Sequence, residues 1–137
     1  MSIEKRWIQR FNNFKKSLRK LSEIVDDKEI IELTEIERDS IIKRFELTFE
    51  LSWNLLKDFL ELQGYTELYG SRNTFRIAFE RGIIHDGEMW MEMIESRIKS
   101  AHTYDEENAN DITNKIYSHY IELFNQLRLT MEKQVEQ

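Results

Sequence analysis

The sequence predicts an all-α protein, an antiparallel up-down bundle of four to five helices, with residues 1–137 forming a single domain. Three observations carry this. Apolar residues recur at steps of three and four through five segments, the period of an amphipathic helix. No segment alternates apolar and polar residues for long enough to make a strand. Proline is absent, and all four glycines (Gly64, Gly70, Gly82, Gly87) fall in one window, where the chain most needs to turn.

The first helix is expected from Ser2 to about Val25. Trp7, Phe11, Phe14, Leu18 and Leu21 form its apolar stripe, and Arg6, Arg10, Lys15, Lys16, Arg19 and Lys20 lie mostly elsewhere on the cylinder. That basic run reads as the wet side of a helix, with a nucleic-acid face as the alternative. Asp26-Asp27-Lys28 breaks the pattern, and Ile30, Ile31 and Leu33 are apolar groups the linker can bury. Thr34-Glu35-Ile36-Glu37 matches a capping box that opens a second helix, ended near Gln63 by Gly64. Phe45, Phe49 and Trp53 recur there at i,i+4, with Ile41, Leu56, Phe59 and Leu60 widening a core stripe. Glu46 and Glu50 flank this row and read as paired surface or interface charges.

A third, shorter helix is expected from about Ser71 to Arg81, with Phe75, Ala78 and Phe79 inward and Arg72, Arg76 and Arg81 outward. Asp86 is suited to cap a fourth, in which Trp90, Met93, Ile94 and Arg97 follow one another along the packed side. Asp105 is suited to cap the fifth, whose inward row is Ile112, Ile116, Tyr120, Phe124, Leu127 and Met131, with a tail fraying from Glu132. His85 and His119 read as surface or structural residues.

Composition excludes several functions. A net charge of −6 argues against a non-specific DNA coat, because neutralised phosphates supply most of such affinity. Without cysteine there is no disulfide framework and no thiolate metal site. Residues 1–7 lack the pattern of a signal peptide, and no apolar run approaches the roughly 20 residues of a membrane span. A cytoplasmic protein without a membrane partner is expected. Neither a Gly-rich phosphate loop nor a His-Glu-x-x-His pattern is present, so no cofactor and no metal are expected.

One stretch stands apart, Arg97-Ile98-Lys99-Ser100-Ala101-His102-Thr103-Tyr104-Asp105. It gathers an arginine, a histidine and a tyrosine where one helical pattern stops and the next begins. Arginine offers a planar charged fork suited to phosphate, and histidine can take or give a proton near neutrality. Together they could cleave an RNA phosphodiester without a metal, His102 acting on the 2′-hydroxyl or the leaving oxygen and Arg97 on the charge at phosphorus. A salt-bridged arginine and a helix-ending histidine are the plainer account of the same residues.

Arg97-x4-His102-Thr103-Tyr104-Asp105-Glu106 resembles the signature of the HEPN superfamily. Arg44-Phe45-Glu46, Phe49-Glu50-Leu51-Ser52-Trp53, Leu56-Lys57-Asp58, Arg76 with Ala78-Phe79, Gly82-Ile83-Ile84 and Asp86-Gly87 with Trp90 are similar to one branch, the nucleotidyltransferase substrate-binding proteins. The resemblance covers about residues 5–128. It implies a HEPN-like bundle that forms a homodimer and partners a small nucleotidyltransferase in a two-component, toxin–antitoxin-like pair. By the same resemblance Arg97 and His102 are candidate catalytic residues of a metal-independent endoribonuclease acting on RNA, the alternative to a purely substrate-binding role. Tyr104 is then the candidate target of AMPylation, which would silence that activity. One departure is Ile98, where the family commonly has a polar residue after the arginine. The third helix also lacks the proline often found near its start.

Overall fold

The structure, a computed structural model, describes residues 2–137; Met1 lies outside the described residues, as does the Ile3 side chain. Helix α1 spans Ile3–Asp27 and is opened by the Ser2 hydroxyl, which accepts from the Lys5 amide. A single 3₁₀ turn, Ile30–Glu32, leads to α2, Glu35–Leu62. The expected capping box opens α2: Thr34 accepts from the Glu37 amide, and Glu37 reaches back to the Thr34 amide. Gly64, at φ +97°, turns the chain out of the helix in a conformation a side chain would oppose. Helix α3, Ser71–Glu80, and helix α4, Gly87–Lys99, are joined through Gly82, also left-handed. Asp86 caps α4 through the Met89 amide, from an αL backbone.

The last predicted helix is one helical rod with an irregularity. Helix α5, Glu106–Lys115, passes through a π-helical turn, Ile116–Tyr120, into α6, Ile121–Val135. Its inward residues Ile112, Ile116, Tyr120 and Phe124 are four apart. On an ideal helix each such step overshoots a full turn by about 40°. The wider i→i+5 turn takes up the excess, so all four remain buried.

Helices α1 and α2 run antiparallel along their length. Arg6 pairs with Glu61, Arg10 with Asp58, Ser17 with Thr48 and Lys28 with Glu37, in a steadily reversed register. The α5–α6 rod lies antiparallel to α1, with Tyr117 donating to the Lys28 carbonyl at one end and Lys15 pairing with Glu132 at the other. Phe45 sits at the centre of one continuous core. Its ring stacks on Tyr120 at 5.4 Å and meets Phe49 and Phe124, while Trp90 bridges Phe75 to Phe124. This is the all-helical bundle expected, with four long helical rods and one short helix among the described residues.

Three expectations are corrected. Ile31 is 90% exposed and Ile30 also faces solvent, because the 3₁₀ turn between α1 and α2 is too short to fold back on the core. Phe79 is 49% exposed rather than inward; its ring lies flat against Gly87, whose missing side chain would otherwise meet it at 3.1 Å. The C-terminal tail continues as helix to Val135, because Leu127 and Met131 anchor it in the core. No described helix is long and apolar enough to cross a membrane.

Candidate functional site

Arg97 emerges from the last turn of α4 beside buried Met93, Ile94 and Ser96, as its position after the apolar row predicts. There it meets α2. Its Nη1 donates to Glu46 Oε2 at 2.9 Å and to Ser100 Oγ at 3.1 Å. Its Nε, shielded from solvent, lies 3.4 Å from Glu50 Oε1 without a well-aligned hydrogen bond. Ser100 closes the cluster: its Oγ is 2.7 Å from Glu46 Oε2 and 2.6 Å from the Arg97 carbonyl, with one proton to serve either acceptor. Glu50 is steadied by the Trp53 indole, which donates to its other oxygen at 2.9 Å. One guanidinium thus faces two carboxylates, and with exposed Lys43 3.9 Å from Glu46 the cluster is locally balanced in charge.

Helix α4 ends at Lys99, and a 3₁₀ turn, Ser100–His102, carries the chain round. The Asp105 amide donates to the His102 carbonyl at 3.2 Å, closing a tight turn over residues 102–105. The Asp105 carboxylate then caps α5 by accepting from the amides of Glu107 and Asn108. His102 and Tyr104 stand on the outside of this turn, both exposed, Tyr104 at 87%. Tyr104 Oη is 3.4 Å from His102 Nδ1, and the rings meet edge to face at 5.8 Å. Beside Tyr104 is a concavity of about 290 Å³ lined by Glu35, Arg38, Asp39, Thr103 and Glu106.

The corner therefore holds two polar groupings rather than one. Among the described residues Arg97 makes no hydrogen bond with His102; it belongs to the α2–α4 seam, while His102 pairs with Tyr104. Glu46, Glu50, Trp53 and Ser100 are the members that the motif alone did not bring to Arg97. The signal for the first two was present: an i,i+4 carboxylate pair beside a core row is well placed to receive a cation from a neighbouring helix. Ile98 is 58% exposed. His85 and His119 are exposed, as expected.

A family model described as "Nucleotidyltransferase substrate binding protein like" matches residues 9–133. The chain belongs to that family. A Haemophilus influenzae protein named as a probable ribonuclease HepT is 32% identical over 94 residues, which make up 64% of this chain and 64% of that relative's length. A crystal structure of a Thermus thermophilus protein superposes with a TM-score of 0.74 at 30% identity, covering 83% of this chain and 94% of the other. A second solved structure, from Haemophilus influenzae, is described as revealing the fold of a substrate binding domain of a nucleotidyltransferase. It superposes with a TM-score of 0.66 at 22% identity, covering 99% of this chain and all of that one, and shares the fold. The family match agrees with the resemblance carried by Arg97-x4-His102 and the α2 motifs.

Proposed function

We propose that this nucleotidyltransferase substrate-binding family member is the HEPN partner of a small nucleotidyltransferase, that it works as a homodimer, and that Tyr104 is the hydroxyl to which the transferase adds AMP. The observation that carries this is the exposure of Tyr104. A tyrosine 87% exposed at the tip of a tight turn can enter a second protein's active site without any unfolding. Most large side chains of this bundle are packed inward, so a bare tyrosine makes no contribution to the core that would explain it. The description of the Haemophilus influenzae structure as a substrate binding domain of a nucleotidyltransferase supports the same reading.

The alternative, a metal-independent endoribonuclease, is favoured by one observation: the His102 imidazole is exposed and free of any carboxylate partner among the described residues. It is opposed by another, since Arg97 is held between Glu46 and Glu50 and offers little net charge to a phosphate. Co-expression with a small nucleotidyltransferase from the same genome, followed by purification and intact-mass measurement, tests the first reading. A stable complex and an AMP adduct abolished by Tyr104→Phe are expected, and absence of both overturns it. Growth and RNA integrity on expressing the chain alone test the alternative. Arrested growth relieved by His102→Ala would establish the ribonuclease; intact RNA and equal growth would exclude it.

A further inference from the structure

We propose that His102 is the proton acceptor for nucleotidyl transfer to Tyr104, so that the chain carries the base for its own modification. This rests on the assignment of Tyr104 as acceptor and adds a role for the imidazole beside it. A phenol is almost wholly protonated at neutral pH and is a poor nucleophile until a base takes its proton. The hydroxyl of Tyr104 has one hydrogen-bond partner among the described residues, Nδ1 of His102 at 3.4 Å. Of the carboxylates in the adjoining concavity, Asp39 and Glu106 lie 3.8 and 3.7 Å from the Arg38 guanidinium, and among the described residues none of them, Glu35 included, hydrogen-bonds the phenol. Imidazole is also the stronger base of the two types.

The geometry is local, which is why it survives docking. His102 and Tyr104 are two residues apart in one turn, closed by the Asp105 amide on the His102 carbonyl and continued into α5 by the Asp105 cap. Thr103 between them has helical backbone angles, φ −78° and ψ −3°. Nothing distant is needed to bring base and nucleophile together, so the pair enters another active site ready assembled. In the step, Tyr104 Oη attacks the α-phosphorus of a nucleoside triphosphate held by the transferase. The Oη–P bond forms, the bond from that phosphorus to the bridging oxygen breaks, and pyrophosphate leaves with the electron pair. The phenolic proton passes to Nδ1, the other nitrogen carrying its own proton throughout, and the imidazolium afterwards releases one to water.

The test is a single-turnover assay of the full chain with the transferase and α-labelled ATP. Because His102 is exposed, the His102→Ala chain should fold and bind as the wild type does. Its maximal rate of labelling should fall on the order of 100-fold with KM unchanged, and added imidazole should restore part of it. His102→Asn, which can accept a hydrogen bond but not a proton, should stay slow. Labelling of His102→Ala at the wild-type rate overturns the proposal, as does a slow variant that imidazole does not rescue. A wild type that takes no label, or takes it only as well as Tyr104→Phe, overturns the acceptor assignment itself. The two failures are therefore distinguishable.

Discussion

Glu46 holds two groups at once, Arg97 and Ser100, and both come from beyond the end of its own helix. Removing its carboxylate leaves the guanidinium, itself 31% exposed, to Glu50 and Ser100, and the buried Ser100 hydroxyl to the Arg97 carbonyl. A double-mutant cycle over Glu46→Ala and Arg97→Ala should show a coupling of about 1–2 kcal/mol in chemical denaturation, the range for a charge-assisted hydrogen bond with partial screening. A coupling near zero would mean that the pair is no more than a surface contact. The same residues mark how far a motif can be read. Arg97, His102 and Tyr104 are visible as residue types at a spacing, but Glu46 lies 51 positions earlier, and only packing of α2 against α4 makes it a partner.

The elements were more legible than the contacts between them. Thr34 and Glu37 form the box their spacing announces, Asp86 and Asp105 cap where expected, and the five apolar rows are buried almost throughout. The apolar residues misplaced, Ile30, Ile31 and Phe79, lie in or beside connectors, where apolar character does not determine direction. The start of α2 also titrates. The Glu37 carboxyl is lowered to about 2, first by its hydrogen bond to Lys28 and then by the Thr34 amide. A carboxyl lowered on folding stabilises the native state above its unfolded titration range, and that contribution is lost as the pH falls toward 2. The Lys28 amine is raised, chiefly by its hydrogen bond to Glu37, so its contribution is present at neutral pH and lost only above the usual lysine range. Glu37→Gln should therefore flatten the acid limb of stability against pH between the ordinary glutamate range and pH 2. An unaltered acid limb in urea denaturation would refute this account.

For the whole molecule, stability rests on the aromatic junction at the bundle's centre. Phe45 is fully buried and touches Phe49, Tyr120 and Phe124, so it joins α2 to the α5–α6 rod. Phe45→Ala should cost about 3–5 kcal/mol by guanidinium unfolding, with the transfer and cavity terms adding because three rings cannot close the gap. A loss under about 1 kcal/mol would show that the core there is loosely packed. Tyr120 lies at the same junction and carries a polar atom into it, its hydroxyl 2.6 Å from Ser96 Oγ. Burial pushes that phenol up, and the Ser96 hydrogen bond draws it partly back. Ser96 is on the α4 turn that leads to Arg97, so the core and the functional corner share a helix end.

By itself the sequence determined the helical period, the caps, the glycine turns and the motif that places this chain in its family. The period, the caps and the turns are local, where backbone geometry follows directly from side-chain type, and the family resemblance is carried by short segments spread over about residues 5–128. The tertiary structure alone decided that Arg97 is held by Glu46 and Glu50, and that His102 turns to Tyr104 instead. It also decided that a π turn keeps the last core row in line. Those outcomes depend on how helices settle against one another, and side-chain partners across a seam are chosen by packed distance rather than by position in the chain.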